Sequence, residues 1–169
     1  KDALRNILND KLGFEINVPD EAFEHDLKYD DAISIINSLK QRADNAGVEF
    51  GLKLTNTLES TNSTSWLPEK EKMVYTSGRA LHPISIKLAE KLQSDFNGEL
   101  DISFSAGVDA FNVVDTLACN LKPITVCSDL LKPGGYLRLT QYLEEIQKSI
   151  ESTNQNNIDD FIKIKGNDN

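Results

Sequence analysis

Apolar and polar positions along this chain repeat with two different periods, which predicts helices and strands in turn. On the expected helices, apolar residues recur every three or four positions. Between these stretches lie short runs that are rich in β-branched residues or alternate apolar with polar residues. The expected helices cover residues 1–11, 30–46, 84–96, 110–119 and 134–150. The expected strands cover residues 14–18, 48–57, 100–106 and 124–127.

Strands that alternate with helices in this way imply right-handed crossovers and a parallel sheet. Four such βα units make half of a (β/α)8 barrel, which usually needs about 250 residues. The sequence therefore predicts an α/β fold, a partial TIM barrel, over residues 1–150. Residues 151–169 are acidic and rich in Asn, and we expect them to form a linker or tail. We expect residues 58–83 to form a long loop, a feature that is usually functional or disordered.

Composition and charge exclude several classes of function. The net charge is −9 and no basic stripe is present, so nucleic acid and anionic lipid are poor partners. No apolar run approaches the roughly 20 residues that span a bilayer. Two cysteines without a CxxC pair indicate a reduced, cytoplasmic setting and predict no metal site. Because the chain opens on Lys1, we expect it to be a piece of a longer protein.

The ends of three predicted strands carry small, hydroxyl or amide side chains: Leu54–Thr57, Phe104–Gly107 and Val126–Asp129. In parallel α/β folds, ligands gather at the carboxyl ends of the strands, where helix N-termini favour anions. Small residues there let a ligand approach the backbone. The same residues also favour turns and helix caps, so a purely connecting role stays open.

Four motifs carry a family resemblance: "TNT" at 55–57, "SGRALHPI" at 77–84, "SAGVD" at 105–109 and "TVCS" at 125–128. In this order they resemble the second half of the FMN barrel of the dihydroorotate and dihydropyrimidine dehydrogenase superfamily. The runs "FGLKLTNTLE", "SGRALHPISI" and "KPITVCSDLLKPGGYLRL" are most similar to selenate reductase subunits, which are dihydropyrimidine-dehydrogenase-like flavoproteins. The resemblance covers residues 1–150.

The resemblance implies contacts to FMN and to a small-molecule substrate at the strand ends. Asn56 and Thr57 would hydrogen-bond the flavin or the substrate. Ser77 and Gly78 would lie against the flavin. Backbone N–H groups of four further residues would hold the FMN phosphate: Ala106, Gly107, Cys127 and Ser128.

Two departures from the family pattern affect this expected phosphate site. Ala106 stands where the family usually has Gly, which narrows the approach for phosphate. Asp109 and Asp129 lie beside the site, and an uncompensated carboxylate there would repel a dianion. No catalytic residue is assigned, because the flavin-contacting lysine and the loop with the catalytic acid or base are not in this chain.

The resemblance also implies that the parent protein is a flavin-dependent oxidoreductase with FAD and iron–sulfur clusters possible outside this chain. Its partners would be the remaining half of the barrel and other oxidoreductase domains or subunits. We expect the isolated piece to be inactive. We also expect it to self-associate, because a half-barrel exposes two edge strands.

Two other functions stay open on the residues alone. An aldolase- or synthase-like barrel piece would use the same turns to bind a phosphorylated metabolite without redox chemistry. A structural or interaction module would bind nothing at these turns.

Several single residues have both a functional and a structural interpretation. Lys53 could reach a flavin or point into solvent. His82 and His25 could contact a ligand, although lone loop histidines are more often structural. We expect Cys127 to be a small buried thiol and Cys119 to lie in the core.

Overall fold

A computed structural model describes residues 1–55, 57–63 and 67–167 of the chain. These residues divide into two compact units. The first unit comprises Lys1–Leu52 and Thr57–Thr76, and the second comprises Lys53–Asn56 and Ser77–Asn169.

The first unit contains the two helices expected at the start of the chain. Helix α1 (Asp2–Arg5) continues as a π-helical segment, Asn6–Lys11. Helix α2 (Tyr29–Ala46) ends where Gly47 adopts a left-handed conformation, as its predicted stop signal requires. Both predictions are confirmed.

The prediction of a strand over residues 14–18 is wrong. Instead of a ladder, side chains of the preceding helical segment satisfy the backbone here. The Asn9 amide group donates to the Ile16 carbonyl (2.9 Å) and accepts from the Ile16 N–H (3.0 Å). The Arg5 Nε donates to the Val18 carbonyl over 2.9 Å. Of the alternating apolar residues in this stretch, Val18 is buried, whereas Phe14 is 40% exposed.

The expected long loop over residues 58–83 holds a two-stranded antiparallel sheet, which the sequence prediction missed. Strand β2 (Leu58–Thr61) pairs with β3 (Met73–Thr76), and Leu58 lies opposite Thr76. Buried Ser60 and Thr76 join the strands through their hydroxyl groups, 2.7 Å apart. Strand β2 (LEST) is mostly polar, β3 (MVYT) is only four residues long, and their connection is too long for a recognisable hairpin turn.

A three-stranded sheet has the order β1-β4-β5, and β4, β5 and the last two residues of β1 belong to the second unit. Strand β1 spans Gly51–Leu54, β4 spans Asp101–Phe104 and β5 spans Leu121–Ile124. Strands β4 and β5 are parallel, with Ile102 opposite Leu121. The α/β class and the parallel sheet are confirmed, with three strands in this sheet where four were expected.

The last strand begins three residues earlier than predicted, at Leu121 instead of Ile124. Pro123 explains the error, because proline lacks the N–H that a central strand needs. In the observed order β5 lies at an edge of the sheet, where proline is tolerated.

Four helices accompany this sheet in the described part of the second unit. Their bounds are α3 (His82–Asp95), α4 (Val113–Ala118), α5 (Arg138–Ser152) and α6 (Ile158–Asn167). Helix α6 lies within the stretch expected to be a linker or tail, and its Phe161 is only 1% exposed. Ile102, Phe104 and Leu121 from the strands are also buried and form the centre of this unit.

Candidate functional site

Three segments of the second unit meet at the carboxyl ends of β4 and β5. Gly78 and Gly107 both have a positive φ, +65° and +58°. A Cβ on Gly107 would lie 2.2 Å from the Gly78 carbonyl oxygen, and one on Gly78 would lie 3.5 Å from the Cβ of Ser128. The structure therefore brings together three of the residues that the sequence singled out. We call Gly78, Gly107 and Ser128 the strand-end cluster.

The other residues expected to bind the cofactor lie at different levels of exposure. Ser77 is exposed and immediately precedes the 3-10 turn Gly78–Leu81. Ala106 is buried, so its methyl group does not project into solvent at the strand ends. Thr57 is an exposed residue of the first unit. Asn56 lies outside the described residues.

Both cysteine predictions are wrong, since both thiols are exposed. Cys127 was expected to end a strand, but β5 stops at Ile124 and leaves the cysteine in the connecting turn. Cys119 follows the short helix α4, which ends at Ala118, and so it lies at the surface instead of in the core.

His82 joins the start of α3 to the end of β4. Its Nδ1 is 2.7 Å from the Ala106 carbonyl oxygen and donates to it. The ring also meets Phe104 edge-on, with centroids 5.6 Å apart. These contacts support the structural interpretation of His82. Lys53 and His25 are exposed.

The first carboxylate beside the cluster, Asp109, is compensated by Arg79. The Arg79 Nε donates to Asp109 Oδ2 over 2.6 Å, and Nη2 contacts the same oxygen. The other oxygen, Oδ1, accepts the Phe111 N–H over 2.9 Å. Asp109 is only 2% exposed, whereas the Arg79 side chain is 60% exposed.

The second carboxylate, Asp129, is compensated more completely. Arg138 donates to both of its oxygens, from Nε over 2.8 Å and from Nη2 over 3.1 Å. Lys132 Nζ lies 2.8 Å from Oδ1. The Tyr142 hydroxyl lies 2.6 Å from Oδ2 and 3.2 Å from the Val108 carbonyl, so it bridges the turns that follow β4 and β5.

These contacts set the ionisation of the pair. The hydrogen bonds from Arg138, and then those from Lys132 and Tyr142, hold the pKa of Asp129 well below its ordinary value. Burial and the Asp129 charge raise the pKa of the Tyr142 hydroxyl well above its ordinary value. At neutral pH Asp129 is therefore an anion and Tyr142 keeps its proton.

The two carboxylates thus face three cationic side chains, which are Arg79, Lys132 and Arg138. The repulsion considered from the sequence does not arise, because each carboxylate is paired. Sequence reasoning did not single out these cations, and their partnership depends on the fold.

Within residues 1–55, 57–63 and 67–167, no group of three or more His, Cys, Asp or Glu side chains is arranged to hold a metal ion. No helix in those parts of the chain is long and apolar enough to cross a membrane.

Comparison with known proteins gives a consistent assignment. The sequence profile of a family described as "Oxidoreductase YgfK, N-terminal TIM-barrel domain" matches residues 1–166. Two curated proteins named "Putative oxidoreductase YgfK", from Escherichia coli strain K12 and from Escherichia coli O157:H7, are similar to this chain. Each is 43% identical over 147 residues, which cover 86% of this chain and 14% of the relative. The TIM-barrel fold predicted from the sequence is confirmed.

Proposed function

The chain belongs to the YgfK oxidoreductase family, through its N-terminal TIM-barrel domain, and from that premise we propose that its strand-end turns hold the phosphate of FMN. The family description names an oxidoreductase without naming a cofactor. FMN enters through the resemblance of the strand-end motifs to the flavin barrels.

The observation that carries this proposal is the convergence of the strand-end cluster. A Cβ on Gly107 would meet the backbone of Gly78 and Arg79, and a Cβ on Gly78 would meet the small side chain of Ser128. The N–H groups of Ser128 and Asp129 begin the 3-10 turn Ser128–Leu131, so neither has an acceptor within that turn. Such groups are natural donors to a phosphate. The Gly78 carbonyl fills the space beside Gly107, so we propose that the phosphate lies on the Ser128 side.

The charge around the cluster also fits a dianion. Three cationic side chains against two carboxylates leave an excess of one positive charge. Because Arg138, Lys132 and Tyr142 engage both oxygens of Asp129, this carboxylate has little capacity to repel a phosphate. The residues present therefore fit the phosphate of FMN.

When bound, FMN would supply the ability to accept and pass on electrons. The contribution of this chain would be to fix the cofactor by its phosphate. Ser77 is exposed and therefore accessible to the rest of the cofactor or to a substrate.

Some proposals concern the whole protein, since the chain spans 14% of the length of its curated relatives. We propose that the parent is a cytoplasmic flavoprotein similar to selenate reductase subunits, with FAD and iron–sulfur clusters in other regions. We also propose that the chain alone is inactive and needs the rest of the barrel.

Self-association is a separate proposal about partners. In the described sheet β1 and β5 are the outer strands, and an unpaired strand edge can pair with another copy. We expect the sedimentation coefficient to rise with protein concentration in the micromolar range. A single monomeric species over that range would contradict self-association.

The main alternative is a barrel that grips a phosphorylated metabolite without redox chemistry. It would use the same turns, so the two functions differ in whether the isoalloxazine ring contributes to binding. Membership in an oxidoreductase family favours the flavin.

The proposal can be tested with a matched pair of variants at Ser128. Ser128→Asp places a carboxylate where the phosphate would lie, and Ser128→Asn places a neutral side chain of the same shape there. We expect Ser128→Asp to weaken FMN binding at least tenfold relative to Ser128→Asn, measured by flavin fluorescence. Riboflavin, which lacks the phosphate, serves as the control ligand and should not distinguish the two variants.

Inorganic phosphate should also displace FMN from the wild-type chain. Binding of FMN that is equal in both variants and insensitive to phosphate would place the phosphate elsewhere. Binding of phosphate without any flavin binding would favour the metabolite-binding alternative.

A further inference from the structure

The guanidinium of Arg79 is held in a fixed orientation beside the strand-end cluster. On one edge, Nε and Nη2 contact Asp109 Oδ2, the first over 2.6 Å. The Arg79 Cζ also lies over the Phe111 ring, 5.3 Å from its centroid. An exposed arginine ordinarily samples many rotamers, and these two contacts restrict it.

Asp109 can orient Arg79 because it is itself fixed. Its Oδ1 accepts the Phe111 N–H, and its own N–H donates to Asn112 Oδ1 over 2.8 Å. Asn112 in turn donates from Nδ2 to the Gly107 carbonyl over 3.1 Å. The bracing of Arg79 is therefore continuous with the turn that forms the strand-end cluster.

The outer edge of Arg79 keeps unused donors. A guanidinium has five N–H groups, and Asp109 engages those on one edge only. In the described ranges of the chain, no acceptor contacts Nη1 of Arg79, and 60% of the side chain is exposed. A planar fork with free N–H groups is suited to bidentate binding of phosphate.

The backbone of Arg79 also lies at the cluster. A Cβ on Gly107 would come within 2.7 Å of the Arg79 nitrogen, and Gly78 is in contact range of Ser128. The Arg79 side chain therefore starts from backbone that packs directly against the strand-end cluster.

We propose that Arg79 is a phosphate-binding residue, whose free guanidinium edge binds a phosphomonoester dianion at the strand ends. The inference rests on the proposed function, and it adds a side-chain cation to a site otherwise made of backbone N–H groups. Asp109 and Phe111 are positioning residues, which act by orienting Arg79.

The test compares four forms of the 169-residue chain: the wild type, Arg79→Gln, Arg79→Lys and Lys122→Gln. Lys122→Gln is the matched control, because it also removes one exposed positive charge but lies near the amino end of β5, away from the strand ends. Dissociation constants for FMN, riboflavin and inorganic phosphate are measured for each form. Circular dichroism and urea unfolding verify that each variant is folded.

We expect Arg79→Gln to weaken FMN and inorganic phosphate binding by about 10- to 100-fold, the range for losing a charge-assisted hydrogen bond. Riboflavin affinity should change less than twofold. Arg79→Lys keeps the charge without the fork and should lose an intermediate amount. Lys122→Gln should bind all three ligands as the wild type does.

The outcomes separate this inference from the proposed function. If the wild type prefers FMN to riboflavin and Arg79→Gln keeps that preference, Arg79 is not a phosphate ligand and the FMN proposal stands. If the wild type binds phosphate through Arg79 but binds no flavin, the Arg79 assignment stands and the FMN proposal fails. If the wild type binds neither ligand, both are overturned.

Discussion

The turn that follows β4 and the turn that follows β5 each compensate a buried carboxylate, but with different partners. Each places a buried aspartate at the carboxyl end of its strand. Asp129 is surrounded by Arg138, Lys132 and Tyr142, and Arg138 is itself largely shielded from solvent. Among the residues that the structure describes, Asp109 has a single cationic partner, Arg79, and that partner is mostly exposed.

The difference indicates a division of roles. Around Asp129 several donors bind the two carboxylate oxygens, so this hydrogen-bond network is closed and stabilises the fold. Around Arg79 the carboxylate engages one edge of the guanidinium, which leaves donors facing solvent. A closed network has no capacity for a ligand, whereas a braced and exposed arginine does.

The largest expected effect comes from removing the close approach that joins the turn after β4 to the segment before α3. In Gly107→Ala, the added Cβ would meet backbone atoms of Gly78 and Arg79, at 2.2 Å and 2.7 Å, on a positive φ. We expect a loss of about 4 kcal/mol or more in the free energy of unfolding, measured in urea.

Gly98→Ala is the matched control for that variant. Gly98 also has a positive φ, +76°, but a Cβ there would have no neighbour within 4 Å. Only the backbone strain remains, which costs about 1 kcal/mol. Equal losses at the two glycines would show that packing at the strand-end cluster is not tight.

The next largest loss of stability is expected when the network around Asp129 is broken. Asp129→Asn removes the charge that Arg138 and Lys132 surround, and we expect a loss of about 3 kcal/mol in the free energy of unfolding. Glu90→Gln, which breaks the exposed pair with Lys87, should cost less than about 1 kcal/mol. A similar small loss at Asp129 would contradict the closed network.

The ionisation of Asp129 also makes the free energy of unfolding depend on pH. Because its pKa in the folded state lies below the ordinary value of 3.8, protons bind more tightly to the unfolded chain. The contribution is present above that value and is lost as the pH falls further. The wild type should therefore lose stability below about pH 4 more steeply than Asp129→Asn. Parallel pH profiles would contradict this role.

Tyr142→Phe should have a smaller effect, about 1 to 2 kcal/mol, because it removes one hydroxyl hydrogen bond and leaves the ring in place. The pKa of Tyr142 is raised in the folded state, so its contribution is present at neutral pH and is lost as the pH rises above about 10. Thermal unfolding should show this alkaline loss in the wild type and not in the variant. A variant that keeps the alkaline loss would assign it to other groups.

The smallest expected effect on stability is at Arg79. Its side chain is mostly exposed and glutamine can still donate to Asp109, so Arg79→Gln should cost about 1 kcal/mol or less in urea unfolding. A loss as large as that of Asp129→Asn would show that the turn after β4 is a closed structural network too.

The sequence predicted the backbone of the site better than its side chains. The positive-φ glycines at 78 and 107 stand in short motifs, so local sequence was enough to mark the turns. The side-chain contacts join residues from different elements, as when the Tyr142 hydroxyl of α5 reaches Asp129 and Val108. No local pattern encodes such a contact.

The errors in the predicted strands also come from contacts between residues that are distant in the sequence. The apolar alternation at 14–18 resembles a strand, yet the backbone there is satisfied by Asn9 and Arg5. Strands β2 and β3 are only four residues long each and pair with each other across a long connection. In both regions tertiary contacts, not propensity, decide the structure.

The measurement that tests the central claim most directly is a titration of the ¹⁵N-labelled chain with FMN and then with inorganic phosphate, followed through amide chemical shifts. If the strand-end turns hold the phosphate, both ligands shift the amides of Gly78, Gly107, Ser128 and Asp129, along with the Arg79 side-chain Nε–H. Saturable shifts located elsewhere, with the amides of these turns unaffected by both ligands, would contradict the claim.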